Sequence, residues 1–295
     1  MSKLTREMTT LAKQAGGSFK TVHDRIRIME RFSRHLLALN IQIKDIRHLK
    51  SKHIEQFIAD RLSSGITLRS LQNEMAALRC VLRTGGRDKL AESERLTNKA
   101  LGLSGASRAG TKRAIPEDRF QAALQLAQAR DEGFACALQL ARLLGLRSQE
   151  AVQCGASINK WKNQINTFRS TVTVVFGTKG GRPREVQIID RDALKQAVEN
   201  ALRVAESRNG RLIDKPDLKA AMNYWRAHTA RIGLTGCYSP HSLRYARAQD
   251  SIAHYLSQGY SRTEARALTS MDLGHGDGRG RYVERVYTQK RIDDV

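Results

Sequence analysis

The chain has 295 residues and carries 51 lysines and arginines against 29 acidic residues, a formal charge of +22. Its 40% hydrophobic content is enough for packed cores, which excludes a disordered basic tail. A positive excess of this size, spread along the whole chain, indicates a polyanionic partner, most simply nucleic acid.

A membrane-bound protein is the competing interpretation of the charge, and the sequence argues against it. The first residues lack the apolar core of a signal peptide, and no concentrated basic amphipathic segment or lipidation signal is present. The longest apolar stretch, 134–146, is interrupted by Gln139 and Arg142 and is too short to span a bilayer. The four cysteines form no CxxC pair, so we expect reduced thiols in a cytoplasmic protein.

The length predicts two domains, of which the first, residues 1–103, is expected to be small, basic and all-helical. Apolar residues at helical spacing predict helices over about 19–40 and 51–63, and a third that ends before Gly85. Five basic residues lie opposite the apolar stripe of the first predicted helix: Lys20, Arg25, Arg27, Arg31 and Arg34. Solvated charges occur on any surface helix, but the total charge favours contact with DNA phosphates.

Residues 104–113 are small and basic and lack apolar periodicity, which predicts a linker. The sequence leaves open whether this linker follows DNA or is an ordinary solvated connection. The second domain, 114–295, is expected to be α+β. Alternating β-branched residues predict a hairpin of strands at 171–176 and 184–189, with Lys179 at or near its tip. Such a lysine serves solubility or, in the functional alternative, reaches into a bound substrate.

Two short segments of the second domain combine arginine with helix-start signals. Residues 145–151 read GLRSQEA, which places Arg147 at a turn after a helix that is apolar nearly all round. Ser148 is expected to cap the next helix, and Glu150 is within reach of Arg147. Residues 239–244 read SPHSLR, with Ser239 as the expected cap.

The SPHSLR segment puts an imidazole and a guanidinium on one face of a helix N-terminus. His241 and Arg244 are three residues apart, and free N–H groups with the positive dipole end favour an anion there. The helix is expected to reach Ser257, another to cover 263–271, and LGH then follows at 273–275. A final short helix is expected over 282–289, so Tyr282 and Tyr287 both come after His275.

This ordered set resembles the tyrosine recombinase (phage integrase) family over residues 112–295. The resemblance implies a mainly α fold with a small β-hairpin. It also implies an all-helical, SAM-like core-binding domain at 1–103 and an α+β catalytic domain at 114–295. In that family two arginines, matched here by Arg147 and Arg244, bind the scissile phosphate, and the acidic position of Glu150 supports the first of them.

The resemblance also implies roles for the remaining site residues. His241 would hydrogen-bond the phosphate and assist as a base toward the tyrosine hydroxyl, His275 would donate to the phosphate, and Lys179 would protonate the departing 5′ oxygen. The nucleophile is expected to be Tyr287, because RVYT at 285–288 resembles the usual nucleophile context. Its gap from His275 is longer than the family norm, which the glycine-rich insertion 276–280 would absorb. Tyr282, whose gap is shorter than the norm, is the alternative.

The implied activity is site-specific recombination through a 3′-phosphotyrosine intermediate and a Holliday junction, without metal, cofactor or ATP. The implied partners are double-stranded DNA and a homotetramer on two DNA sites of a mobile genetic element, with room for accessory DNA-bending proteins. The location would be the bacterial cytoplasm, at the nucleoid. Two alternatives stay open: an enzyme like the type IB topoisomerases, and a DNA-binding regulator that has lost catalysis. A metal nuclease is disfavoured, because His241 and His275 share no ligand-spaced motif.

Overall fold

The N-terminal unit is a bundle of helices around its own core. A computed structural model describes residues 2–107 and 109–288, and the chain divides into two compact units, Met1–Ser107 and Arg108–Val295. The helices of the first unit are α1 (Lys3–Gln14), α2 (Phe19–Ala38), α3 (Ser51–Ser63), α4 (Leu68–Thr84) and the single turn α5 (Asp88–Ala91). Their apolar faces form one buried cluster, in which Met8, Phe32 and Met75 are fully enclosed.

Helix α1 was not predicted from the sequence, although its signals are present there. The Ser2 side chain caps it by accepting from the Thr5 N–H, and Leu4, Met8 and Ala12 are buried at a spacing of four. The four-residue period is the core-facing stripe of an amphipathic helix, here spread over only three turns.

The sequence places five basic residues opposite the apolar stripe of α2 without identifying which of them contact DNA, and the structure shows that two of them bind groups within the unit. Arg25 is buried, and its guanidinium donates to the carbonyl oxygens of Ala12 and Gly16. Arg31 binds the buried carboxylate of Glu74 at 2.5 Å. These two arginines hold helices together, because their charge is needed to pair groups that folding has removed from water.

The C-terminal unit is mostly helical with one antiparallel hairpin, which confirms the predicted fold class. Its helices are α6 (Glu117–Gln128), α7 (Glu132–Leu144), α8 (Ser148–Gln153), α9 (Ile158–Asn166), α10 (Arg191–Glu206), α11 (Leu218–Arg231), α12 (His241–Ser257), α13 (Arg262–Asp272) and α14 (Gly280–Tyr287). Strands β1 (Thr171–Val174) and β2 (Arg184–Gln187) pair with Val172 opposite Val186. Both strands are two residues shorter than predicted.

Helix α7 is the centre of this unit. Nine of its residues are buried, and it packs against α6, α10 and α12. The Asp131 side chain caps its start, and Gly145 ends it with φ 57° in the left-handed region. A Cβ on Gly145 would lie 2.8 Å from Cγ of Arg247, so both conformation and space require glycine here.

The two predicted serine caps are wrong. Ser148 is the first residue of α8, and the N–H before the helix, that of Arg147, donates instead to the Glu150 carboxylate at 2.8 Å. Ser239 accepts from the Ser242 N–H through its carbonyl oxygen, not its side chain, and α12 begins at His241. At both helix starts, therefore, a backbone N–H donates to an acceptor other than the serine side chain.

The segment 109–113 lies on the C-terminal unit through hydrogen bonds. The Gly110 N–H donates to the Arg285 carbonyl at 3.4 Å, and the Arg113 N–H donates to the Cys237 carbonyl at 3.1 Å. The Lys112 ammonium donates to the Gly236 carbonyl at 2.8 Å. Within the described residues, no helix combines the length and the apolar character that crossing a membrane requires.

Candidate active site

A cleft of about 970 Å³ opens on the C-terminal unit. It is framed by the turn between β1 and β2 on one side and by the α13–α14 connection on the other. Six residues singled out from the sequence line it: Arg147, Lys179, His241, His275, Tyr282 and Tyr287. Two more, Glu150 and Arg244, lie buried beneath it. The fold therefore brings all eight candidates into one neighbourhood.

Arg147 projects into the cleft from the start of α8. One guanidinium nitrogen donates to Glu150 Oε1 at 2.6 Å, and another donates to the Leu273 carbonyl at 3.1 Å. The side chain is 22% exposed, so its outer edge remains available to a ligand. Two anchors on the inner side thus fix the direction of a cation that faces the cleft.

Glu150 is the buried anion that organises the arginines. Its side chain has no solvent exposure and accepts from both Arg147 and Arg184. Burial acts to raise the pKa of this carboxyl, but the charges and hydrogen bonds of Arg184, Arg244 and Arg147 outweigh it and lower the pKa. Glu150 is consequently ionised, and it supports the site from below without reaching the cleft.

Arg184 belongs to this network and was missed by the sequence analysis. It is the first residue of β2, and its guanidinium bonds to the carbonyl oxygens of Leu144, Gly145 and Asp272 besides Glu150. A signal was available: Arg184 alternates with Val186 and Ile188, so it occupies an inward-facing strand position. A charge on a buried face needs a partner, and that partner is Glu150.

Arg244 is fully buried under the cleft floor. It donates to the Gly145 carbonyl at 2.6 Å, to the Leu273 carbonyl, and through Nε to the Tyr287 hydroxyl at 3.3 Å. Burial, followed by the nearby charge of Arg184, lowers its pKa to about 10, which leaves the guanidinium charged at neutral pH. The group is a preorganised cation that touches the tyrosine oxygen.

Tyr287 is the tyrosine whose hydroxyl the site holds. It is 1% exposed, and its oxygen lies 3.0 Å from His275 Nε2 as well as 3.3 Å from Arg244 Nε. Tyr282 lines the same cleft with its ring centroid 4.7 Å from that of His275. Burial, and then the neighbouring Tyr287, raises the pKa of Tyr282.

The two histidines are neutral at physiological pH. Burial, and then the charges of Arg244 and Arg147, lowers the pKa of His241 to about 4 and that of His275 to about 3. His241 keeps an exposed edge toward the cleft, whereas His275 is half-buried. A neutral imidazole has one nitrogen that accepts a proton and one that donates. Both rings are thus able to exchange protons with a bound substrate.

Lys179 is exposed in the turn between the strands and lines the cleft beside Thr178 and Arg182. The base of this turn is seated on the start of α8: a Cβ on Gly177 would lie 2.4 Å from the Gln149 carbonyl oxygen. The base of the turn therefore packs closely against the Arg147 side of the cleft, and Lys179 lies exposed beyond this contact.

The described residues contain no group of three or more His, Cys, Asp and Glu side chains arranged to hold a metal ion. The charges that face the cleft are cationic, apart from Glu185 and Asp277 at its rim. An anion is the ligand that such a site selects.

Two family models match the chain in sequence. The model described as an integrase matches residues 102–250, and the model described as the N-terminal part of a phage integrase matches residues 1–91. No curated protein matches the chain in sequence.

Solved structures of integrases share the fold. The Tn1549 transposon integrase in complex with transposon right end DNA has a TM-score of 0.65 at 13% identity, covering 99% of this chain and 96% of that one. A lambda integrase tetramer bound to a Holliday junction has a TM-score of 0.59 at 17% identity, covering 98% and 78%. A lambda integrase dimer bound to a core site has a TM-score of 0.56 at 17% identity, covering 98% of each chain.

At such identities the solved structures establish the fold, while the sequence models carry the family. The integrase model alone covers half of the chain, and the N-terminal model covers most of the remainder. The chain belongs to the phage integrase family of tyrosine recombinases, and it is a site-specific recombination enzyme.

Proposed function

We propose that the protein cuts and rejoins DNA strands through a covalent bond between Tyr287 and a 3′ phosphate. The observation that carries this proposal is the position of the Tyr287 hydroxyl, 3.0 Å from His275 Nε2 and 3.3 Å from Arg244 Nε in a cationic cleft. A phenol is activated as a nucleophile by an adjacent base and by a cation that stabilises developing charge.

The proposed cleavage step exchanges one phosphorus–oxygen bond for another. The Tyr287 oxygen forms a bond to phosphorus, and the bond from phosphorus to the 5′ oxygen breaks. The phenol proton goes to a neutral imidazole, and the Lys179 ammonium supplies a proton to the departing 5′ oxygen. The energy of the phosphodiester is retained in the phosphotyrosine, so a 5′ hydroxyl of another strand can reverse the step without ATP.

The geometry favours His275 as the proton acceptor. Its Nε2 contacts the hydroxyl oxygen, whereas the His241 ring centroid lies 6.2 Å from that of Tyr287. If Arg244 Nε–H donates to the tyrosine oxygen, the hydroxyl proton is left to point at His275. This differs from the expectation that His241 is the base. We assign His241, at the open edge of the cleft, to the phosphate.

The two arginines are proposed to bind the non-bridging oxygens of the phosphate. Arg147 offers its outer edge from the wall, and Arg244 offers its charge from the floor. Charge-assisted hydrogen bonds from guanidinium groups act most strongly where water is excluded, as at Arg244. Glu150 would keep Arg147 in place, and the Gly145 and Leu273 carbonyl oxygens would do so for Arg244.

The DNA partner is proposed to be held by both units. Arg27 and Arg34 of α2 are exposed and suited to phosphates, in contrast to the buried Arg25. We further propose a tetramer that joins two DNA sites and exchanges strands through a Holliday junction, as the lambda integrase tetramer is seen bound to one. The cytoplasmic location stays a prediction from the sequence.

The test is a covalent trapping assay on nicked duplexes from the DNA that flanks the protein's own gene. Wild type, Tyr287→Phe and Tyr282→Phe would be compared in the presence of a chelator, with the DNA labelled 3′ or 5′ of the nick. We expect a denaturation-resistant adduct on the 3′ phosphate that Tyr287→Phe alone abolishes.

Other outcomes identify the alternatives. An adduct lost only in Tyr282→Phe would move the nucleophile to that residue. Adducts accompanied by relaxation of a supercoiled plasmid with a single site, and no joint product from two sites, would indicate a topoisomerase-like enzyme. Tight binding without any adduct on its own site would indicate a regulator.

A further inference from the structure

Tyr245 is a buried tyrosine beside the active site, and it has no role in the proposed cleavage step. It follows Arg244 on α12 and is 3% exposed. Its ring centroid lies 4.6 Å from that of Tyr287, with the rings at 63°, and 5.5 Å from that of His241, with the rings at 75°. Edge-to-face pairs at these distances are attractive and orientation-dependent. Tyr245 thus contacts the ring of the proposed nucleophile along one side.

The opposite end of Tyr245 meets the segment 110–112. A Cβ on Gly110 would lie 2.4 Å from the Tyr245 hydroxyl oxygen and 2.2 Å from the Val286 carbonyl oxygen. The backbone of Lys112 and Thr111 acts to lower the pKa of the same hydroxyl, although burial dominates and raises the pKa of Tyr245 to about 12. We call residues 110–112 the strap, because their backbone lies against Tyr245 and the end of α14.

Helix α14 depends on such support. It has eight residues, which is too short for a helix to persist on its own propensity. Three of its side chains, Val283, Val286 and Tyr287, are buried in a small cluster that includes Tyr245. The carbonyl oxygens of its last turn need donors from elsewhere, and the Gly110 N–H supplies one to Arg285.

We propose that Tyr245 is a positioning residue for Tyr287, and that the strap fixes Tyr245 and the end of α14 at their correct distance. The inference rests on the proposed role of Tyr287 as the nucleophile. Its mechanism is geometric: the hydroxyl attacks only when it lies in reach of His275 and Arg244, and the Tyr245 ring holds the phenol ring in that orientation.

The experiment measures the single-turnover rate of adduct formation at saturating nicked DNA, together with the dissociation constant for the same duplex. Tyr245→Leu removes the ring and Tyr245→Phe keeps it. Since small misplacements of a reacting group cost up to about 100-fold in rate, we expect Tyr245→Leu to slow cleavage by roughly 30- to 100-fold with affinity unchanged within about twofold. Tyr245→Phe is expected to restore most of the rate.

Gly110→Ala tests the strap without removing any buried group. Its φ is not in the left-handed region, so the substitution adds only a methyl group that collides with Tyr245 and Val286. We expect a selective fall in the cleavage rate of about tenfold, which is smaller than the roughly 100-fold loss that a 1 Å misplacement can cause. Phe120→Leu, which removes a buried ring from α6 outside the cleft, is the control for general loss of packing.

A second substrate separates positioning from leaving-group chemistry. With sulfur in place of the bridging 5′ oxygen, the leaving group needs no proton, so Lys179→Ala should recover while Tyr245→Leu should remain slow. Wild-type cleavage by Tyr245→Leu, recovery of Tyr245→Leu on the sulfur substrate, or an equal loss in Phe120→Leu would each overturn the inference. Absence of an adduct with wild type would instead overturn the role of Tyr287, and the inference with it.

Discussion

The guanidinium of Arg184 meets the carboxylate of Glu150 at 2.8 Å beneath the cleft, with side-chain exposures of 4% and 0%. The same carboxylate holds Arg147, so a single buried anion fixes one arginine that is partly exposed in the cleft and one that is buried at its base. Buried ion pairs contribute little compared with apolar replacements, but removing one partner leaves an uncompensated charge.

We therefore expect Glu150→Gln to destabilise the protein strongly. Loss of one partner from a buried pair costs about 3–5 kcal/mol, so the free energy of unfolding should fall by about that amount. Denaturant unfolding of the free protein measures it. The control is Glu132→Gln, which breaks the pair with Arg203 in which both side chains are at least half exposed. A change below about 1 kcal/mol is expected there, and an equal loss in both variants would contradict the prediction.

The histidines predict a fall in stability toward acid pH. In the folded protein the pKa values of His241 and His275 are about 4 and about 3, against an ordinary value of 6.5. Between these values the unfolded chain binds more protons than the folded one. Their contribution is thus fully present above pH 6.5 and is lost as the pH falls toward 3.

The measurement is the free energy of unfolding against pH for wild type and for the double variant His241→Gln with His275→Gln. The wild-type curve should rise more steeply with pH between 4 and 6.5 than that of the double variant. Parallel curves would show that the two rings titrate normally in the folded protein.

Lys179→Ala should slow cleavage without weakening DNA binding in proportion. General acid catalysis contributes about 10²- to 10⁴-fold, so a rate loss in that range is expected on oxygen substrates, with near-normal rates when sulfur replaces the bridging 5′ oxygen. Lys162→Ala, at an exposed lysine of α9 outside the cleft lining, is the matched control and should cleave normally. If the sulfur substrate does not restore the cleavage rate of Lys179→Ala, Lys179 is not the general acid.

His275 and His241 should differ in their effect on the attack step. Because His275 contacts the Tyr287 hydroxyl, His275→Gln should reduce the rate of adduct formation at saturating DNA by about 100-fold or more. Compared with His275→Gln, His241→Gln should reduce the rate of adduct formation less and should weaken DNA binding more. The comparison uses single-turnover rates and dissociation constants on one duplex, and the reverse order would return the base role to His241.

Arg25 and Arg27 form a matched pair on one helix. Arg27→Ala should weaken DNA binding and reduce the slope of log affinity against log salt by about one, with unchanged stability. Arg25→Ala should instead lower stability by about 1–3 kcal/mol, because the Ala12 and Gly16 carbonyls lose their buried donor. Salt-dependent binding and thermal unfolding distinguish the two, and equal salt slopes for Arg27→Ala and wild type would contradict the phosphate contact.

The sequence was sufficient for the fold class, and it singled out eight residues that the fold brings into or beneath one cleft, but not Arg184. Helical spacing and β-branched alternation are local properties of a sequence. The order of the site residues along the chain can also be read without coordinates: Arg147, Lys179, His241, Arg244 and His275. The long α7, apolar nearly all round, was predicted as the buried central helix, and the structure confirms it.

What could not be predicted depends on contacts between distant segments. Nothing local to Arg184 identifies Glu150 as its partner, and nothing local to Gly110 shows that Val286 lies against it. The serine caps failed for a different reason, because the acceptors that replaced them are local: the Glu150 carboxylate and the Ser239 carbonyl oxygen. Position 289, the last residue of the helix predicted over 282–289, lies outside the described residues, as do positions 290–295.

Arg184 also limits which chimeric proteins could be built from this enzyme and its relatives. The hairpin 171–187 is an obvious segment to exchange between family members, because it is short and carries Lys179 at its exposed turn. Its buried end, however, bonds to carbonyl groups at the ends of both α7 and α13 as well as to Glu150. A chimera that imports another hairpin without an arginine at position 184 would leave Glu150 short of a partner, and its Arg147 would be misplaced before any DNA arrived.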